Sequence, residues 1–122
     1  MRFTQDLTTG IHVIRGYADG GLRVNENTYR GAVILSAATL IDRPNIQNLE
    51  GLLKVDAARI LALEPELVLL GTGARQVFPE PVFGAQFLRA GIGFEVMDTS
   101  AACRTFNVLV GEQRRVAAAL LL

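Results

Sequence analysis

The sequence predicts a small layered α/β domain, and three observations carry that prediction. Two short apolar runs, Leu67-Val-Leu-Leu-Gly-Thr-Gly73 and Gly93-Phe-Glu-Val-Met-Asp-Thr99, each stop abruptly at small and polar residues. Buried strands read this way where they run into a loop at the carboxyl edge of a sheet. Segments with helical spacing separate and follow these runs, so the latter half reads β-α-β-α-β, and crossovers of that length favour parallel strands joined by right-handed connections. The first third instead alternates as a β-meander with antiparallel neighbours.

Residues 1–10 are polar and read as a loose lead-in. Ile11 to Tyr17 alternates as a strand. Ala18-Asp-Gly-Gly21 is a turn, Leu22 and Val24 begin the return strand, and Asn25-Glu-Asn27 turns again. Tyr29 to Ser36 reads as the third strand, ending in Ala32-Val-Ile-Leu35. From Ala37 to Lys54 the pattern is weak: Asp42-Arg-Pro-Asn45 marks a loop, and Leu49, Leu52 and Leu53 point to a segment packed back on the body. Asp56 is placed to cap a short helix over Ala57 to Leu63, with Ala57, Ile60 and Leu61 on one face, and Pro65 ends it.

Leu67 to Leu70 is wholly apolar and predicts a central strand, followed by a loop from Gly71 to Phe78. Pro79 and Pro81 suit the start of a helix that runs to Ala90, with Phe83 and Phe87 one turn apart and Gly91 as its stop. Ile92 to Met97 is a strand with Ile92, Phe94 and Val96 on one face. Asp98 or Thr99 caps the next helix, Ser100 to Val110, which buries Ala102, Phe106 and Leu109 and stops at Gly111. Arg115 to Leu121 is apolar on both faces and reads as an interior strand.

A chain of 122 residues fits one domain, 1–122, with a single core. Half the residues are hydrophobic and mean hydropathy is +0.31, which excludes a disordered chain. Twelve acidic and twelve basic residues balance to a formal charge of +0, so no global field draws in nucleic acid or an anionic membrane, and self-association is not opposed. The lone Cys103 allows no internal disulfide. No apolar run approaches the roughly 18 residues that span a bilayer, and the opening residues read neither as a signal nor as a transit peptide. A cytoplasmic location is the expectation.

If the two organising strands are parallel neighbours, Gly71, Thr72, Gly73, Asp98 and Thr99 gather along one edge, where open α/β sheets bind ligands. Gly71-Thr-Gly73 then has two readings: a loop whose amides approach an anion, or a tight turn. It lacks the lysine of a P-loop and the third glycine of a dinucleotide fingerprint. The helix beginning at Asp98 also has two readings. Its amino end, reinforced by Arg104, is suited to a carboxylate or phosphate, and Thr99, Cys103 and Asn107 fall on one face at i, i+4, i+8. Alternatively Asp98 is only a cap, Cys103 a core residue and Arg104 solvated. Cys103 as a nucleophile needs a base, and the single histidine, His12, reads as an exposed strand residue. One His and one Cys make no zinc set, so no metal, cofactor or catalytic constellation is expected. Arg114-Arg115 reads as a solvated basic turn.

Pro65-Glu-Leu-Val-Leu-Leu-Gly-Thr-Gly73, Gly91-Ile-Gly-Phe-Glu-Val-Met-Asp-Thr99 and Ala101-Ala-Cys-Arg-Thr-Phe-Asn-Val-Leu109 together resemble the domain of unknown function shared with mitochondrial complex I assembly factor three. This domain also occurs as small stand-alone bacterial and archaeal proteins and in an adipogenesis-associated human protein. The early Ala32-Val-Ile-Leu-Ser36 and final Arg115-Val-Ala-Ala-Ala-Leu-Leu121 fit as well. The resemblance implies a three-layer α/β domain with a central mixed, mostly parallel sheet and an N-terminal β-meander, the last strand running antiparallel to the others. It implies no established catalytic activity and no assigned cofactor. Relatives often carry Pro and then Trp after the Ile-Leu-Ser strand, whereas Ser36-Ala-Ala-Thr-Leu-Ile41 has neither.

Two functions follow as expectations. The first is a non-enzymatic protein-interaction or assembly-factor-type domain, implied by the resemblance and linked to respiratory complex I assembly. The alternative is a small-molecule or anion-binding protein or enzyme using Gly71, Thr72, Gly73, Asp98, Thr99, Arg104 and Asn107. A protein partner, a homo-oligomer, no nucleic acid and no membrane span complete the expectation.

Overall fold

The computed structural model describes residues 11–54 and 57–122. The lead-in read over residues 1–10 and the cap assigned to Asp56 lie outside them. The chain opens with β1 (Ile14–Ala18), β2 (Gly21–Val24) and β3 (Asn27–Tyr29), paired antiparallel in the order β1-β2-β3. Asp19 and Asn25 take positive φ in the two turns, where short polar side chains tolerate the left-handed region.

The third expected strand, Tyr29 to Ser36, is broken. Gly31 sits at φ +85, and a Cβ there would lie 2.5 Å from the Pro44 carbonyl oxygen. Its turn ends the meander at β3 and sends β4 (Ala32–Ser36) into a second sheet. Beside β4 lies β5 (Leu40–Arg43), a short edge strand in the weakly patterned stretch, and it takes in Asp42 and Arg43 of the expected loop. Next come α1 (Leu49–Leu53), whose N-cap Asn48 accepts from Gly51 N–H at 2.8 Å, and α2 (Ala57–Leu61).

The remaining elements are β6 (Leu67–Thr72), α3 (Pro81–Arg89), β7 (Gly93–Met97), α4 (Thr99–Gly111) and β8 (Val116–Leu121). The main sheet runs in the order β5-β4-β8-β6-β7. β6 is parallel to both β7 and β8, while β4 is antiparallel to β8 and β5, so β4 alone opposes the other strands. The sheet is mixed, as the resemblance implies, but the reversed strand is not the last one. β8 lies parallel to β6 because the thirteen-residue α4 carries the chain back before it re-enters the sheet.

Alternation along the strands divides the interior in two. Val33, Leu35, Leu69, Ala118 and Leu120 face one way, toward Ala102, Phe106 and Val110 of α4 and toward Leu22 and Val24 of the meander. Ala32, Ile34, Val68, Leu70 and Ala119 face the other, toward Leu52 of α1, Ile60 of α2, and Phe83 and Phe87 of α3. Three layers result.

Both long helices end in a Schellman-type turn. After α3, Gly91 at φ +77 donates to Leu88 O and Ile92 N–H to Phe87 O. After α4 the left-handed residue is Gln113, φ +63, rather than Gly111, which is the last residue of the helix.

Candidate functional site

The ends of β6 and β7, the two organising strands, meet at the start of α4 as expected, and the end of β8 joins them there. Gly71 lies under Thr99 so closely that a Cβ on it would be 3.1 Å from Thr99 Cα and 2.9 Å from Leu120 Cδ2. Gly73 N–H donates to Thr99 Oγ1 at 2.7 Å, and Thr99 N–H donates back to the Gly73 carbonyl at 2.9 Å. The Thr99 hydroxyl donates onward to the Leu121 carbonyl. Thr72 Oγ1 accepts from Val77 N–H at 3.0 Å and donates to the Arg75 carbonyl at 2.6 Å. Both threonines are buried.

This rim is a closed hydrogen-bonded junction. The Gly73 amide, which an anion would need, already has a buried acceptor. At the amino end of α4, Asp98 Oδ1 accepts from Ala101 N–H at 2.8 Å and the Thr99 amide is held by Gly73, so two of the first three helical amides are occupied.

Arg104 and Asn107 stand elsewhere, on the wall of a groove of about 260 Å³ between α4 and β1, with Arg15, Tyr17, Ser100 and Cys103. None of Gly71, Thr72, Gly73, Asp98 and Thr99 lines it. Asn107 is bound at both ends of its amide: Oδ1 accepts from Ile14 N–H at 3.0 Å and Nδ2 donates to the Ile14 carbonyl at 2.8 Å. It mimics a neighbouring strand and ties the meander to α4. Only a partner 93 residues away reveals this role.

Cys103 is buried, and burial pushes its thiol from the ordinary 9.0 up to about 11, helped by the Asp98 carboxylate and opposed by Arg104. The protonated thiol therefore predominates near neutrality, which is unsuited to nucleophilic attack. Burial also raises the Tyr17 hydroxyl, with Cys103 and Asp98 adding to it. His12 is not the exposed strand residue expected from sequence. It precedes β1, is half-buried, and its Nδ1–H donates to the Ser36 carbonyl at 2.8 Å. β1 lies against α4 with Ile14 at Asn107 and Tyr17 beside Cys103, so His12 falls toward the far end of the helix. Among the described residues no three His, Cys, Asp or Glu side chains come together to hold a metal.

A second cavity, about 530 Å³, has no counterpart in the sequence reading. It opens at the amino ends of β6 and β8, lined among others by Ala37, Ala38, Leu63, Pro65, Val110 and Arg114. The Arg114-Arg115 pair beside it is exposed and also partnered: Arg114 Nε lies 3.2 Å from Glu66 Oε2, and Arg115 N–H donates to Glu66 Oε1 at 2.9 Å. That backbone bond is the main reason the Glu66 carboxyl is held below its usual range, aided by Arg114.

A family model described as "Protein of unknown function (DUF498/DUF598)" matches residues 14–121. The chain belongs to this family. Among relatives, it is 32% identical over 106 residues to the "13 kDa major membrane protein" of Francisella tularensis, covering 86% of each chain. It is 36% identical over 112 residues to "NADH dehydrogenase [ubiquinone] 1 alpha subcomplex assembly factor 3" of Danio rerio, covering 89% of this chain and 63% of the longer relative. A solved structure from Bordetella parapertussis matches with a TM-score of 0.78 at 33% identity, over 93% of this chain and 97% of that one. The DUF498/DUF598 match starts at the first residue of β1 and ends at the last residue of β8, so it takes in both sheets. No helix among the described residues is long and apolar enough to cross a membrane.

Proposed function

We propose that the chain is a non-enzymatic protein-binding domain of the assembly-factor type, acting over residues 1–122 as one unit in the maturation of respiratory complex I. The observation that supports this reading most is the similarity over 112 residues to the Danio rerio assembly factor. The chain corresponds to 63% of that relative, so the role is assigned to the shared domain. The chemistry is compatible: the buried thiol is held protonated, and the rim threonines bond to backbone rather than facing a substrate. A cytoplasmic location and self-association belong to the same reading. Affinity capture from the native cell under mild detergent tests it. Recovery of a complex I subunit or a second assembly factor is the expected result, and recovery of no partner overturns it.

A second reading, small-molecule or anion binding, is favoured by the groove at Arg104 and Asn107. A thermal-shift screen with metabolites and inorganic anions tests it, because a ligand bound to the native state raises its melting temperature. A shift lost in Arg104→Ala supports the reading, and the absence of any shift rejects it.

A further inference from the structure

The two edges of the main sheet are finished differently. β5 is followed directly by Pro44, which has no N–H to donate to a further strand. β7 forms the other edge, and no strand among the described residues lies beyond it. Gly93 N–H reaches inward to the Glu66 carbonyl at 3.0 Å, and Gly93 and Glu95 stand opposite Leu67 and Leu69 of β6. Backbone groups alternate in direction along a strand, so Phe94 and Val96 aim N–H and C=O outward. The Val96 carbonyl shows this directly, accepting from the side chain of Gln76 at 3.0 Å.

The chain that follows Gln76 is exposed and apolar. Phe78 is 74% exposed and Val82, at the start of α3, is 65% exposed. Glu95 stands exposed in the middle of the edge, and the ion pair found among the described residues does not involve it. We infer that the outer edge of β7 takes up an extended segment of another protein as a sixth strand, with a Lys or Arg opposite Glu95 and apolar residues on either side. This inference rests on the protein-binding reading above and names its docking surface.

Charge selects this occupant over a second copy. Antiparallel self-pairing about Glu95 would set two Glu95 carboxylates directly opposite. Pairing about Phe94 or Val96 would leave them diagonal on the same face, within roughly 8 Å. Either arrangement opposes like charges, whereas a basic residue complements the position. The outward N–H and C=O of Phe94 and the N–H of Val96 supply hydrogen bonds of strand addition beside the Gln76 contact, and side chains at alternate positions supply its selectivity.

Random twelve-residue peptides displayed on phage and selected on the immobilised full chain test the inference. Enrichment of alternating apolar sequences with a central Lys or Arg is the expected result. A synthetic copy of an enriched peptide should move the amide resonances of Phe94, Val96 and residues 76–78. It should bind at least tenfold more weakly to Glu95→Lys, on which selection should instead enrich Asp or Glu. Selection without enrichment, peptides indifferent to Glu95→Lys, or resonance changes away from β7 overturn the inference. So does a dimer in sedimentation that Phe78→Ser dissolves, since a second copy then covers the edge. If selection fails while affinity capture still recovers a complex I partner, the edge assignment falls alone. If capture recovers nothing, the protein-binding reading itself falls.

Discussion

At its carboxyl end the main sheet closes on itself, and at its amino end it opens into a cavity of about 530 Å³. Both ends carry small and polar residues in loops between strand and helix. At the carboxyl end, β6, β8 and α4 converge within hydrogen-bonding distance, and the hydroxyls of Thr72 and Thr99 are buried against backbone. Buried backbone groups must find partners, and here the partners are side chains that the sequence alone would offer to a ligand. At the amino end, Arg114 and Arg115 remain exposed, and their partners Glu64 and Glu66 lie on the chain approaching β6. Polar residues at a strand end thus lock the fold where chain ends converge, and leave room where they splay.

Substitutions at the two ends should differ accordingly. Thr99→Val keeps the shape and removes the hydroxyl that serves both Gly73 and Leu121. It leaves buried partners unmade, and denaturant unfolding should show a loss of about 3 kcal/mol. Gly71→Ala forces a methyl group toward Thr99 Cα at 3.1 Å. The same measurement should show a loss of about 2 kcal/mol from overpacking.

Alkaline pH probes the buried Cys103 on α4. The folded state raises the Cys103 pKa from 9.0 to about 11, so it favours the thiol more than the unfolded chain does. That preference is without consequence below pH 9, where both states are protonated. Stability is then lost as pH rises from 9 toward 11, by about 1 to 2 kcal/mol after solvent screening. The melting temperature of Cys103→Ala should fall less steeply across this window than that of the parent chain. At the open end, Gln113 holds a left-handed conformation, φ +63, that glycine adopts freely. Gln113→Gly should raise stability by about 0.5 to 1 kcal/mol, read as a higher melting temperature. A gain at one end and losses at the other would sharpen the contrast, and equal tolerance at both ends would break it.

Much of the fold is legible in particular residues. Asp98 reads as a cap and is one. Phe83 and Phe87 read as one buried face and pack edge to face, 5.4 Å between ring centroids. The expectations that failed share a cause. The break at Gly31 depends on the carbonyls of Arg43 and Pro44, twelve or more residues on. Among the described residues β5 is an edge strand paired with β4, and its sequence lacks the apolar run that marks a buried strand. Gly111 is a plausible stop, yet the helix continues to it and turns at Gln113.

The candidate site was legible in part. Gly71, Thr72, Gly73, Asp98 and Thr99 do come together, while Arg104 and Asn107 line a separate groove. Spacing along a helix shows which residues share a face; it does not show which strand that face meets.

What this sequence determines by itself is periodicity: which residues turn inward, where helices begin, and that β6 and β7 end at a common polar rim. Such information is local, set by backbone geometry and apolar spacing within about two turns or one strand. Tertiary structure alone decided that the rim is closed and that Asn107 holds Ile14. Those outcomes depend on hydrogen-bond partners 26 and 93 residues apart, which meet only when the layers pack.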